Sequence, residues 1–177
     1  MKKLFCAALA AATVVVPAAL VSAPASAEGF HAEIHSGWDH VAVSGYKDDG
    51  IAYGVGLGYD LPLGDTAFVG IEGSADDANT RKCVSGLCVS TKRELSAVAR
   101  VGAKVGGNYK VYALAGYANG RVSATGLGSA NGDGFRAGAG LQAGFGSHLY
   151  GKLEYRYTNY EAGFTRNQVL AGLGIEF

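Results

Sequence analysis

The sequence predicts an all-β fold: an eight-stranded antiparallel up-and-down β-barrel that crosses a membrane with its strands. Three observations carry that expectation. Apolar and small or polar residues alternate with period two along most of the chain, which is the strand signal. The connections alternate between short Gly/Pro/Asn/Asp turns and longer polar segments, as in an up-and-down transmembrane barrel. In the clearest strands the apolar face carries no Lys, Arg, Asp or Glu, as a lipid-facing surface requires.

The first segment stands apart. Lys2 and Lys3 form a basic start, Leu4 to Leu20 is apolar, and Ala25-Ser26-Ala27 is a small-residue cleavage site. Residues 1–27 therefore read as a cleaved export signal, and residues 28–177 as a single barrel domain. Cys6 sits too early, with no apolar stretch before it, to be a lipid-attachment site. Removing the two lysines leaves a slightly acidic chain holding all 28 glycines, far above the ~7% of average usage. No second apolar run approaches the roughly 18 residues of a membrane helix. With 49% hydrophobic and 17% charged residues, the chain is neither a disordered tail nor a nucleic-acid binder.

Eight strands follow in order. Residues 29–43 form a weak first strand. In 51–61, Ile51, Tyr53, Val55, Leu57, Tyr59 and Leu61 alternate with Ala52, Gly54, Gly56, Gly58 and Asp60. In 66–76, Ala67, Val69 and Ile71 oppose Gly70, Glu72 and Ser74. Leu95 to Val105 alternate with Glu94, Ser96, Val98, Arg100, Gly102 and Lys104. The two faces of 109–121 are nearly equal in polarity and leave its facing open. Phe135 to Phe145 alternate with Arg136, Gly138, Gly140, Gln142 and Gly144. Leu149, Leu153, Tyr155 and Tyr157 alternate with Tyr150, Lys152, Glu154, Arg156 and Thr158. The last strand sets Val169, Ala171, Leu173, Ile175 and Phe177 against Gln168, Leu170, Gly172, Gly174 and Glu176. Short turns are expected at Pro62–Asp65, 106–108 and 146–148, and loops at 44–50, 77–91, 122–134 and 159–166, the glycine-rich third loop being the most mobile.

A soluble, lipocalin-like barrel in the periplasm would alternate too, with its apolar face inward around a ligand. Four features favour the apolar face pointing out. The other face is crowded with Gly, which makes room in an interior just wide enough for side chains. Its charges carry both signs, Glu72, Glu94, Arg100, Lys104, Arg136, Lys152, Glu154, Arg156 and Glu176, and so suit a closed network of ion pairs. Phe30, Tyr59, Phe145 and Phe177 gather towards the short turns, and Trp38, Tyr53, Phe135 and Tyr157 towards the long loops, as two interfacial girdles would. The strand pattern also runs to Phe177 itself.

That last strand carries a family resemblance. Gly172-Leu-Gly-Ile175-Glu-Phe177 resembles the C-terminal β-signal of bacterial outer-membrane proteins, Gly-x-x-apolar-x-aromatic. The position two before Gly172, polar in that pattern, is Leu170 here. In layout the whole chain after residue 27 is similar to small outer-membrane barrels of the OmpA/OmpX and opacity type. The resemblance implies a Gram-negative outer membrane, both termini in the periplasm and four surface loops. It implies lipid and lipopolysaccharide neighbours, handling by periplasmic chaperones and the barrel-assembly machinery, and Gly172, Ile175 and Phe177 as the assembly signal.

The chemistry is sparse. Cys83 and Cys88 flank Val-Ser-Gly-Leu and, in an oxidising compartment, read as a local disulfide of about 2 kcal/mol that stiffens the second loop. A metal pair lacks any neighbouring His or further Cys. His31 and His35 lie about 13 Å apart on a strand, too far to share a metal. Gly138-x-Gly140-x-x-Ala143 matches a dinucleotide fingerprint only as a string, since no helix follows. His35 and Ser36 are adjacent and so fall on opposite faces, and the His-x-Ser-Asn signature of lipid A deacylase barrels is absent. No catalytic residue, metal or cofactor is expected. The expected protein is a monomer whose loops serve envelope integrity, adhesion or host contact, with a small porin-like channel as the alternative.

Overall fold

The computed structural model describes residues 29–43, 46–78, 81–84, 87–124, 128–161 and 163–177, with the backbone alone over 43, 46–48, 81–84, 87–92, 122–124 and 128–131. The strands are β1 (Phe30–Val43), β2 (Tyr46–Leu63), β3 (Ala67–Ala78), β4 (Arg81–Val84), β5 (Leu87–Val105), β6 (Tyr109–Ala124), β7 (Gly128–Gly144), β8 (Leu149–Tyr160) and β9 (Phe164–Glu176). All pairings are antiparallel, in the order β3-β2-β1-β9-β8-β7-β6-β5-β4, and β3 also pairs with β5. That last pairing closes eight strands into a barrel and leaves β4 as a short arm on β5. No helix occurs among the described residues.

Alternation dictates the facing. Ile51 is 61% exposed and Ala52 is fully buried, and this contrast repeats around the barrel. The apolar side chains of the sequence pattern point outward: Leu57, Ile71, Val101, Leu141, Leu153 and Leu173 are all exposed. A soluble barrel with an apolar cavity is thereby overturned, because its ligand face would be the outside of this molecule. On β6, Tyr112, Leu114 and Ala118 face inward and Tyr109, Val111 and Tyr117 outward. Its faces looked alike because Tyr112 and Leu114 on the inner side balance Tyr109, Val111 and Tyr117 on the outer, with alanines on both.

The expected loops are largely strand. β1 and β2 pair out to Val43 and Tyr46, β6 and β7 to Ala124 and Gly128, and β8 and β9 to Tyr160 and Phe164. Segment 77–91 contains the end of β3, all of β4 and the start of β5. The backbone ladder continues because its hydrogen bonds need no apolar side chain, so the strands outrun the hydrophobic pattern that announced them. Residues 125–127, within the segment expected to be most mobile, lie outside the described residues. So do residues 1–27, the expected signal. The short turns stay tight: Gly106 and Gly107 have φ of 63° and 82°, a left-handed backbone that residues with a Cβ adopt reluctantly.

The start of β1 and the end of β9 meet at the short-turn end. Gly29 N–H donates to the Phe177 carbonyl at 2.8 Å and Phe177 N–H to the Phe30 carbonyl at 2.9 Å. The two rings lie 6.1 Å apart.

Candidate functional site: the polar interior and the loop-end rim

Inside the barrel the side chains form a continuous polar column. At the short-turn end Lys110 pairs with Glu176 and approaches Asp60 at 3.7 Å. Above it, Arg100 donates to Glu72 at 2.8 Å and to His31 Nε2 at 2.8 Å, with its guanidinium stacked 4.2 Å over the Tyr112 ring. Glu72 is also reached by Arg156 at 3.3 Å and Lys152 at 3.5 Å. Lys152 pairs with Glu33 and lies 3.3 Å from Glu154, and Arg156 pairs with Glu154 and lies 3.5 Å from Asp76. His35 bridges Glu33, at 3.1 Å from Nδ1, and Asp76, from Nε2. Towards the loop end, Arg136 pairs with Glu94 and donates to Thr158 at 3.0 Å, while Arg166 holds Asp39 at 2.6 and 2.9 Å and Glu94 at 2.8 Å.

Desolvating an isolated ion is prohibitive, so the neighbours of each charge decide whether such an interior can exist. Here each buried carboxylate meets at least one cation, and tyrosine hydroxyls take up further lone pairs. Tyr112 donates to Glu154 at 2.6 Å and Tyr150 to Glu33 at 3.0 Å. Arg100, Arg136 and Arg156 are at most 2% exposed. They cross the lumen, which an eight-stranded wall leaves only wide enough for side chains. No group of ligands that could hold a metal occurs among the described residues.

The sequence-predicted residues distribute as follows. Glu72, Glu94, Arg100, Arg136, Lys152, Glu154 and Arg156 are buried in the column. Glu176 is half-buried at its lower end. Lys104 is exposed at the short-turn mouth, outside the network, because its strand has already passed the last inward layer. Sequence reasoning missed Glu33, Asp39, Asp76, Lys110 and Arg166 as members, and His31 and His35 as their buried partners. Parity was the available signal: Asp76 follows Glu72 and Ser74, and Arg166 precedes Gln168, at even spacing. The backbone sets Cys83 directly opposite Cys88 across the β4–β5 hairpin, and their side chains lie outside the described residues. Gly172 lines the wall, while Ile175 and Phe177 are exposed on the outer face.

Glycine makes this column fit. A Cβ on Gly140 would lie 2.4 Å from the Tyr112 ring, and one on Gly174 would lie 2.3 Å from the Tyr150 ring. Both rings are pinned by their hydroxyl bonds to Glu154 and Glu33. Gly140→Leu should therefore lower the urea midpoint of the detergent-solubilised barrel by the equivalent of about 1–3 kcal/mol, as overpacking does. Adding Tyr112→Ala should recover part of it. A Gly140→Leu midpoint equal to the parent's would mean that the inward stack is looser than drawn.

Outside, the wall is apolar between two aromatic rims. Phe30, Tyr59, Phe145 and Phe177 are exposed at one end, and Trp38, Tyr53, Tyr117, Phe135 and Tyr157 at the other. Just beyond the second rim, Asp133 accepts from the Tyr117 hydroxyl and from Asn119 Nδ2 at 2.5 Å. These donors hold its carboxyl below the ordinary value, so it stays ionised.

An apolar belt bounded by aromatics around a filled, charge-paired lumen is a surface made for a bilayer. The model of the outer membrane protein beta-barrel domain matches residues 6–177. The chain belongs to that family. Its place is the Gram-negative outer membrane. Among curated proteins no relative matches. Solved structures share the fold. Ail, the attachment invasion locus protein of Yersinia pestis, is 20% identical with a TM-score of 0.66, covering 85% of this chain and 99% of that one. Neisserial surface protein A is 16% identical with a TM-score of 0.65, covering 85% and 98%. The N-terminal β-barrel domain of Pseudomonas aeruginosa OprF is 17% identical with a TM-score of 0.53, covering 85% and 98%. Ail has also been solved in complex with the heparin analogue sucrose octasulfate. Within the family this chain is thus an eight-stranded barrel with surface connections, its wall set in lipid and its lumen occupied by side chains.

Proposed function

We propose that this barrel is a non-enzymatic display scaffold that holds stiff β-hairpins above the outer leaflet, in adhesion or host contact. The observation that carries the reading is the continuation of paired strands beyond the loop-end aromatic rim, as in β6 and β7, whose ladder runs past Tyr117 and Phe135 to Ala124 and Gly128. Such a ladder presents its connection on a braced stem. The charge-paired lumen argues against a sustained channel, and the heparin analogue bound by Ail gives a precedent for recognition by a barrel of this size. The short turns and both chain ends face the periplasm in this reading. The register of Cys83 opposite Cys88 supports a disulfide that braces the second hairpin. An epitope inserted at 125–127 should be labelled by antibody on intact cells. Labelling only after the outer membrane is opened would sink the reading, as would stable unitary conductance in a planar bilayer.

The assembly signal belongs to the same proposal. Ile175 on β9 and Phe177 just after it are exposed on the outer face, at the end of the strand that pairs with both β8 and β1. Phe177→Ala should slow the appearance of the heat-modifiable, folded band in pulse-labelled cells several-fold. Folding at the parental rate would remove Phe177 from the signal.

A further inference from the structure

Two buried histidines of β1, four residues apart, meet opposite chemistry. His31 Nε2 lies 2.8 Å from Arg100 Nη1, and because a guanidinium can only donate, this nitrogen accepts. His35 is bonded at both ends to carboxylates, from Nδ1 to Glu33 at 3.1 Å and from Nε2 to Asp76. An ionised carboxylate can only accept, so both ring nitrogens of His35 must donate. Only the imidazolium form carries two N–H groups. The His35 side chain is fully buried, so solvent cannot stand in for either partner.

The charges of the column ask for the same thing. In its upper part Asp39 and Glu94 are matched by Arg136 and Arg166. At its foot Asp60 and Glu176 share Lys110, beside a half-open cup of about 260 Å³. Between these layers Glu33, Glu72, Asp76 and Glu154 face Arg100, Lys152 and Arg156, one cation too few among the described residues. His35 stands in that layer. The strands packed against its ring do not supply the difference. β2 offers Gly54, where a Cβ would lie 2.8 Å from Nε2, and β9 offers Gly172, its partner in register. On β3, Ser74 donates to Asp76 at 2.6 Å, and on β5, Glu94 is engaged by Arg136 and Arg166. On β8, Lys152 is paired with Glu33, and Arg156 with Glu154 while 3.5 Å from Asp76. Arg136 of β7 stands 3.9 Å from Asp76.

We propose that His35 is the missing cation, and that closing the barrel takes up one proton from the medium and holds it between Glu33 and Asp76. In the unfolded chain a histidine returns to the ordinary imidazole value of about 6.5. Above that pH the unfolded state binds one proton fewer than the folded barrel, so stability falls as pH rises. Below it the contribution is complete, down to the range of about pH 4 where the carboxylates themselves protonate. The scaffold is therefore firmest in a mildly acidic medium and loosens in an alkaline one. An outer-membrane protein meets the external medium directly, so this proton ties the stability of the barrel to environmental pH.

The test uses the folded barrel in detergent micelles with isotopically labelled histidine nitrogens. At about pH 7.5, one unit above the ordinary imidazole value, nuclear magnetic resonance should show both ring nitrogens of His35 protonated and one nitrogen of His31 bare. Replacing each of the four histidines in turn by Gln assigns the signals. In urea titrations between about pH 6.5 and 8.5, the parent's folded-to-unfolded ratio should fall by up to about tenfold per pH unit, as release of one proton on unfolding requires. His148→Gln should keep that slope, and so should His40→Gln, although His40 meets Asp49 at 2.8 Å. His35→Gln should flatten the slope and weaken the barrel. Adding Glu33→Gln should recover part of that loss, because it brings the carboxylates and cations of the layer level. A bare nitrogen on His35 at about pH 7.5, a parental ratio indifferent to pH, or a slope that survives His35→Gln would each overturn the proposal. If His35→Gln does not fold, the parent decides, since His35 is then assigned by elimination from the other three. None of these outcomes depends on which end of the barrel faces outward.

Discussion

Arg156→Ala should unfold at a markedly lower urea concentration than the parent while still reaching the outer membrane. Arg156 is buried, and it is the cation that ties Glu154, Glu72 and Asp76 together across the lumen. Truncating it leaves three carboxylates facing one another with less positive charge between them. Breaking a buried pair by removing one partner costs about 3–5 kcal/mol, most of it the stranded charge and not the lost bond. Arg156→Met should cost about as much, because it fills space without supplying charge. Arg156→Lys should cost less, since one ammonium keeps the charge but cannot span three acceptors. The measurement is the unboiled-to-boiled mobility transition and the tryptophan-monitored urea curve, read on the same preparation. A parental midpoint for Arg156→Ala would mean that the interior is wetter than a closed column allows.

The second large effect lies on the other face. Leu153→Arg should destabilise the barrel in a bilayer by about 2–4 kcal/mol, the cost of a charge near the middle of the hydrocarbon. Leu153 is exposed on β8, midway between Leu149 at the short-turn end and Tyr157 in the upper rim. Leu153→Ala should cost much less, since lipid closes over the gap. The pair of variants separates lipid exposure from packing. Equal effects of arginine and alanine would mean that this face is covered by protein. The interior and exterior variants respond to opposite substitutions, and that opposition is the physical content of the inverted barrel.

Much of this was legible in the sequence because the membrane punishes exceptions. Tyr53, Val55 and Leu57 must face lipid, and Gly54 and Gly56 between them must admit His35, Asp76 and Glu33 from within, so period two survives with little noise. Legibility fails where that pressure lapses. Val122 to Ala124 and Gly128 to Asn131 are paired strand, yet their apolar positions are small and the runs too short to reveal it. Arg166 lies in a segment that resembles a loop, and only the register places it against Asp39 and Glu94. His31 and His35 are too far apart to share a metal, and what uses them is the carboxylates of the column, Glu72 for His31 and Glu33 and Asp76 for His35.

The seam between β1 and β9 has a consequence for how the molecule is made. These strands are the furthest apart in the chain, yet they pair along their whole length, from His31 with Glu176 to Val43 with Phe164. Until β9 exists, β1 has an open edge, and so does whichever strand has most recently emerged. Open edges invite pairing with other chains in water and are prohibitive in hydrocarbon. Closure therefore cannot proceed strand by strand during synthesis. It waits for the final residues and then removes both edges in a single event, so a chain shortened at its C-terminus forfeits the whole barrel rather than one-eighth of it.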